Sequence, residues 1–475
     1  MTTIVRTRIA PAPSGSIHVG NARTALYNWL YARAHNGAFV LRVEDTDQER
    51  ATDEAYAAVI EDLRWLGLEW DEGPEAGGEF GPYRQSERLP RYGQVASQWL
   101  ERGVAYRCYC TAEELSERRK QAQAEHRTPG YDGRCRNLTD AQISAFEAEG
   151  RSSAVRFKVP GDTTISFDDV VRGTIATSTA QIPDFIIQRS DGSPTYMLAA
   201  GVDDIDMGIT HVIRGEDLVA ATPRQLLIRE AMGVATLPVF AHLPLLVGPD
   251  GKPLSKRWGD VAVRAYREQG FLPEAMVNYL ALLGWSFDDK TNIFSVDELI
   301  EKFTLERVGK NPAAFDVGKL EWLNGHYIRE SPPDDLRERL LPYCRAQGLS
   351  VDEPGAAEKL VAVIPHISER LKRLDEAPGM IRFLFERSAP DAKAAATLEG
   401  QEDYLAAARA VLEALSEWTA AAIEEGLRAL ASERGLKPKQ AFQPLRAAVT
   451  GTLVSPPLFE SLEILGREET LSRLG

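Results

Sequence analysis

The chain has 475 residues, enough for about three domains at roughly 150 residues each, and its 44% apolar and 26% charged content excludes a disordered or fibrous protein. No run approaches the ~18 consecutive apolar residues of a membrane span, the N-terminus carries no apolar signal core, and four cysteines are too few for a disulfide framework; a reduced, cytoplasmic location without membrane contact is expected. The net charge of 55 − 70 = −15 argues against a polyanionic partner only on average, because binding follows local patches, and residues 117–136, 364–373 and 434–446 are locally basic.

The first eighty residues read as strand, loop, helix, strand, helix. Residues 4–9 alternate as a strand, and 10–16 form a Pro- and Gly-bearing loop. Asn21 is the expected cap of a helix with Ala22, Leu26, Trp29 and Leu30 at helical spacing. Residues 38–43 are a second strand, and Thr52 caps a helix with Val59, Leu63 and Leu66 on one face. This order predicts a right-handed parallel unit. From about Gly81 a helix over 89–102 leads into Cys108-x-Cys110 and a basic helix. Hairpin-like strands follow over 153–159, 163–167, 170–177 and 184–189. The helix–strand rhythm resumes after Ile213, with Pro223 in the first turn of a helix. After Ser331 the text is almost wholly amphipathic helix. The expectation is an α/β unit split by an insertion, then an all-α final part.

Two loops carry chemistry. Pro11-Ala12-Pro13-Ser14-Gly15-Ser16-Ile17-His18-Val19-Gly20-Asn21 lies between the first strand and the first helix. Unpaired N–H groups and a partial positive charge make that helix start a phosphate site. Gly20 lets a nucleoside approach the backbone, and His18 can donate to phosphate oxygens as charge builds on a leaving pyrophosphate. The second loop, Gly251-Lys252-Pro253-Leu254-Ser255-Lys256-Arg257, offers Lys256 as an ammonium for a triphosphate in the transition state. Either loop alone reads as an ordinary turn; the pair, in this order, is specific.

The two loops resemble the HIGH and KMSKS signatures of class I aminoacyl-tRNA synthetases. The blocks Arg42-Val43-Glu44-Asp45-Thr46-Asp47, Tyr131-Asp132-Gly133-Arg134-Cys135, Asp191-Gly192-Ser193-Pro194-Thr195-Tyr196, Ile213-Arg214-Gly215-Glu216-Asp217 and Ser455-Pro456-Pro457-Leu458-Phe459 extend the resemblance over the whole chain, to the bacterial glutamyl members of the glutamyl/glutaminyl branch. It implies a Rossmann-type α/β catalytic domain (1–83 and 196–235), an inserted α+β acceptor-end-binding domain (84–195), a stem-contact region with the KMSKS-like loop (236–331), and an all-α anticodon-binding region (332–475).

The resemblance further implies a glutamate–tRNA ligase that uses ATP, Mg²⁺, L-glutamate and tRNA(Glu), acts as a monomer, and requires tRNA even for activation. His18 and Lys256 would be catalytic; Pro11, Gly20, Asn21, Asp217, Ser255, Lys256 and Arg257 would hold ATP. Glutamate has two carboxylates and one ammonium, so its pocket calls for two cations and one acid: Arg8, Arg214 and Glu44, with Ala10 and Tyr196 beside them. Arg8 is favoured for the side-chain carboxylate and Arg214 for the α-carboxylate, though the sequence does not decide between them. Ala12, Ala200 and Pro253 stand where the family usually has Ser, often Asn, and Lys. Cys108, Cys110 and Cys135 could bind Zn²⁺. The usual fourth ligand position holds Asn137, while Tyr131 matches the ligand of the glutamyl-queuosine relatives and His126 is a further candidate. Arg370 aligns with the arginine that reads the last anticodon base. The alternatives are a non-discriminating form that also charges tRNA(Gln), a glutamyl-queuosine enzyme (which lacks the helical part), an HxGH-type nucleotidyltransferase, and a catalytically inactive tRNA-binding regulator.

Overall fold

The structure, a computed structural model, describes residues 4–47, 51–126, 130–254 and 261–475. The chain divides into two compact units, one of residues 1–264 and 277–316, the other of 265–276 and 317–475.

In the first unit β1 (Arg6–Ile9) and β2 (Ala38–Leu41) pair in parallel across α1 (Val19–Ala34). The cap of α1 is His18 rather than the expected Asn21. The ring Nδ1 of His18 accepts the Gly20 N–H at 3.0 Å, which starts the helix three residues earlier. Helix α1 buries Arg23, Tyr27 and Asn28 together with Ala22, Leu26 and Leu30, so it is enclosed on several sides. Thr52 caps α2 (Asp53–Trp65) as expected, accepting from Ala55 N–H at 3.1 Å, with Asp53 and Glu54 complementing the helix dipole.

Helix α3 (Leu89–Glu101) then packs Trp99 edge-on against Phe157. That ring lies in an antiparallel sheet whose three strands are β3 (Ala105–Cys108), β4 (Ala154–Phe157) and, further along the chain, Phe185–Gln188. Next, β5 (Thr164–Asp169) and β6 (Gly173–Ser178) form a hairpin. Residues 170–172, expected in a strand, turn instead: Asp169 Oδ1 accepts the N–H groups of Val171 and Arg172 at 3.0 and 2.8 Å. After the Phe185–Gln188 strand, here β7, come helix α4 (Tyr196–Asp206) and β8 (His211–Gly215). Helix α5 (Thr222–Ala231), with Pro in its first turn, leads to β9 (Val239–Leu243). One sheet has the order β6-β5-β9-β8, so the hairpin from the middle of the chain extends the β8–β9 parallel pair. Strand β1 runs beside β8, with the Thr210 N–H on the Arg6 carbonyl at 3.0 Å.

The second unit is helical throughout its described length after Val317–Glu330. Stripes such as Leu336, Leu340 and Cys344, or Ile423, Leu427 and Leu430, form its core. Leu272 joins them, its N–H held by Asn324 Oδ1 at 2.7 Å. No described helix is long and apolar enough to cross a membrane.

Candidate functional site

The carboxyl ends of β1, β2 and β8 open on a cavity of about 500 Å³, the place where parallel α/β sheets bind ligands. Arg8, Ala10, His18, Gly20, Asn21, Glu44, Tyr196, Arg214 and Asp217 all line it. Pro11, expected to line the site, is the exception: it is buried behind the wall, where its carbonyl accepts the Glu44 N–H at 3.0 Å and so fixes the loop that carries Glu44. Ser255, Lys256 and Arg257 lie outside the described residues. Both flanks of that stretch reach the site. Pro253 and Leu254 line the cavity; Val261 accepts the Val19 N–H at 2.8 Å, and Ala262 bridges to His18.

His18 stands at the mouth of α1. Because its Nδ1 accepts a backbone N–H, the proton of the neutral ring is on Nε2, a donor available to a ligand. Burial lowers the imidazole pKa, which favours that neutral form. A Cβ at position 20 would stand 3.2 Å from His18 Nδ1, so glycine there protects the cap. At Gly215 a Cβ would meet Asp217 Oδ1 at 2.3 Å.

The two arginines have opposite surroundings. Arg8 is bound by a carboxylate, its Nε and Nη2 donating to Asp204 at 3.1 and 3.4 Å. Asp204 also takes Arg42 Nη1 at 2.6 Å, and Arg42 Nη2 donates to Glu44 at 3.1 Å. Behind them Asp203 is held by Arg88, Tyr92 and Gln85 at 2.7 to 2.9 Å. Burial pushes the Asp204 carboxyl up, but the guanidiniums of Arg8 and Arg42 outweigh it and hold it well below the usual range. Burial raises the Glu44 carboxyl against the pull of Arg42.

Arg214 has no carboxylate within ion-pair distance among the described residues. Its guanidinium donates to His242 Nε2 at 3.1 Å, Gln225 Oε1 at 2.7 Å and Thr222 Oγ1 at 2.8 Å. It is 4% exposed, and burial lowers its pKa. A desolvated cation met only by neutral acceptors is short of an anion. Tyr196, whose hydroxyl burial makes harder to ionise, lies on the same wall.

Sequence reasoning missed Arg23, Asp204, Gln225 and His242. Arg23 lines the cavity and donates to the carbonyls of Leu283, at 3.1 Å, and Pro244. Its signal was weak, since α1 also carries Asn21, Thr24, Asn28 and Arg33. Asp204 and His242 had none, because their partners lie 196 and 28 positions away.

Cys108, Cys110 and Cys135 meet, with all three sulfurs within 4.8 Å of one another. Tyr131 Oη lies 3.5 Å from Cys108 Sγ and accepts the Cys135 N–H at 2.8 Å. Arg156 stacks 3.7 Å over the Tyr131 ring and donates to Cys108 Sγ at 3.2 Å. In the helical unit, Arg370 donates to the Ser455 carbonyl at 2.9 Å, and Arg446 reaches the same oxygen at 3.2 Å.

Comparison with known proteins places these features in a family. Residues 4–322 match the family described as tRNA synthetases class I (E and Q), catalytic domain, and residues 335–475 match an anticodon binding domain. The chain is 47% identical over 476 residues to a glutamate–tRNA ligase of Moorella thermoacetica, covering 99% of this chain and 97% of that one. It is 46% identical to another from Symbiobacterium thermophilum, covering 99% of each. A crystal structure of a glutamate tRNA ligase from Elizabethkingia meningosepticum, in complex with its amino acid, superposes with a TM-score of 0.87 at 34% identity, covering 99% of this chain and 98% of that one.

Proposed function

The chain belongs to the class I tRNA synthetases for glutamate and glutamine, and from that membership we propose that the cavity at the ends of β1, β2 and β8 is where it joins L-glutamate to tRNA at the expense of ATP. The activity is that of a glutamate–tRNA ligase. One observation carries the assignment of the site: His18, Arg214 and the flank of the Lys256 loop line one cavity.

Charge supports glutamate as the amino acid. Arg8, Arg23, Arg42 and Arg214 line the cavity with Glu44 and Asp217, and Asp204 is bound to Arg8 and Arg42 behind them, four cations against three anions. The excess of one positive charge matches an amino acid with two carboxylates and one ammonium. Arg214 takes one carboxylate, and Arg8 the other through the N–H groups that Asp204 leaves free. We retain the assignment of Arg214 to the α-carboxylate and Arg8 to the side chain. Glu44 takes the ammonium, whose charge favours the ionised carboxylate that burial opposes. Ala10 and Tyr196 complete the wall. Glutamine would leave a buried guanidinium without its anion, a penalty of about 2–5 kcal/mol.

ATP enters as its Mg²⁺ complex against Gly20, Asn21 and Asp217, with its phosphates at the N-terminus of α1. An oxygen of the glutamate α-carboxylate attacks the α-phosphorus. The bond to the bridging oxygen of the β-phosphate breaks, and pyrophosphate leaves. His18 Nε2–H donates to the phosphate oxygens as that charge develops, and Ser255, Lys256 and Arg257 supply the cationic side from the second loop. The terminal 2′-hydroxyl of tRNA(Glu) then attacks the glutamyl carbonyl and AMP departs. Positioning and fixed charge do the work; no protein group becomes covalently attached.

Residues 84–195 are assigned to the acceptor end and 332–475 to the anticodon, where Arg370 contacts the last base. The cysteine cluster fits Zn²⁺: three thiolates and the Tyr131 phenol would hold it, with Arg156 balancing the charge. The metal would fix the Cys108–Cys135 segment structurally. Aminoacylation of purified tRNA(Glu) and tRNA(Gln) side by side tests the function. Charging of tRNA(Glu) with glutamate is expected, and no charging of either tRNA would refute it.

A further inference from the structure

Arg214 is gripped from behind by a buried dyad. His242 on β9 is the register neighbour of Arg214 on β8, so the two side chains share a face of the sheet. Asp169 closes β5, paired with Phe240 of β9. All three residues are under a twentieth exposed, with His242 fully buried. The hydrogen bonds leave one protonation pattern. Arg214 Nε–H needs an acceptor and finds His242 Nε2 at 3.1 Å, so that nitrogen is bare. The ring proton is then on Nδ1, 2.6 Å from Asp169 Oδ2. Asp169 also takes the His242 backbone N–H at 3.0 Å, which locks both ends of the residue.

We infer that Asp169 and His242 are positioning residues for the amino-acid pocket, holding a neutral imidazole in the one tautomer that lets Arg214 meet a substrate carboxylate without a protein carboxylate beside it. This rests on the assignment of Arg214 to glutamate. A carboxylate in the place of His242 would neutralise Arg214, as Asp204 does Arg8, and would compete with the substrate. An apolar residue would free the guanidinium to swing. Imidazole backed by an acid fixes direction without cancelling charge. Gln225 fits the same reading, for its oxygen faces Arg214 although its own Nε2 is left without a partner. Burial lowers the His242 pKa, and Arg214 and Arg8 lower it further against the pull of Asp169, which favours the neutral ring.

The test is kinetic, on the full chain, by ATP–pyrophosphate exchange with tRNA(Glu) present. His242→Leu is expected to raise KM for glutamate about tenfold, the scale of one hydrogen bond to a charged group, with KM for ATP and kcat near wild type. His242→Gln, whose amide oxygen can replace Nε2 as acceptor, is expected to restore most of that loss. In an Arg214→Ala background, His242→Leu is expected to add nothing. A wild-type glutamate KM in His242→Leu overturns the inference, as does an equal rise in KM for glutamate and ATP or an undiminished effect without Arg214. A wild-type glutamate KM in Arg214→Ala alone would instead overturn the pocket assignment, so the two failures are distinct.

Discussion

The two units bury different kinds of side chain. The catalytic unit hides Arg8, Arg42, Arg88, Asp203, Asp204 and Arg214, each less than a tenth exposed. Among the described residues of the helical unit, Arg473 is the one charged side chain so buried; it donates to the carbonyls of Phe383 and Val449 and pairs with the half-exposed Glu469 at 2.7 Å. The rest of that interior is aliphatic and aromatic, with a few neutral polar groups such as Asn324, Thr450, Ser461 and Thr470. Buried ion pairs are poor stabilisers, since desolvation offsets their attraction. Three of the buried charges, Arg8, Arg42 and Arg214, line the cavity proposed to take the substrate, and Asp203 and Asp204 lie directly behind. The helical unit, with no such cluster in its core, follows plain amphipathic packing.

The contrast can be broken by mutation. Lys256→Ala is expected to abolish aminoacylation while leaving tRNA binding, measured by filter retention, largely intact; full activity would refute the role of that loop. Arg214→Ala should lower kcat/KM for glutamate by about 100-fold or more, the scale of an anion losing a buried partner, with little change in the unfolding midpoint because no carboxylate is orphaned. Asp204→Ala should act chiefly on stability. It leaves Arg8 without its carboxylate and takes one of three from Arg42, and is expected to destabilise the catalytic unit by about 3–5 kcal/mol in denaturant unfolding. Leu340→Ala should cost the helical unit about 2–5 kcal/mol by opening a cavity, with glutamate activation by the catalytic unit unchanged.

Acid sharpens the same difference. Asp204 and Asp169 are buried yet titrate below the usual carboxylate value, because Arg8 and Arg42 hold the first and His242 the second. Such groups contribute stability that is present above an unfolded pKa of about 3.9 and lost as pH falls through the lower native value. The unfolding free energy of the catalytic unit should therefore fall more steeply below about pH 4 in the wild type than in Asp204→Asn, each measured by denaturant titration against its own neutral-pH value. The smallest effect is expected at the surface. Breaking the Arg428–Glu424 pair, 2.6 Å apart on a helix face, should change stability by about 0.5 kcal/mol or less.

What the sequence disclosed was local. The strand–loop–helix order, the Thr52 cap and the helical stripes follow from spacing within a few residues, and so did the fold class. The two loops stood out because each carries an unusual residue pattern, and Arg8, Glu44 and Arg214 because they stand at positions matching the family's motifs; all three line the one cavity. The cap of α1 was misread because histidine is an uncommon cap, and its ring bond to Gly20 N–H competes with the ordinary asparagine signal. Pro11, expected at the ATP site, is buried beside the lining, where its carbonyl accepts the Glu44 N–H. The partners that decide how each arginine behaves stayed hidden. Asp204 for Arg8 and Asp169–His242 for Arg214 are brought together by sheet order, which no periodicity encodes.

That sheet order also constrains how such chains can be recombined. The hairpin of β5 and β6 falls within the stretch that reads as an insertion, yet Asp169 is stitched to β9 and grips His242. A chimera exchanging residues 84–195 between relatives would set a donor's residue and strand, in the place of Asp169 and β5, against the host's β9 and His242. A graft that keeps the native 163–178 segment in the host should work where the wider swap fails, which places the seams of this modular enzyme inside its apparent module.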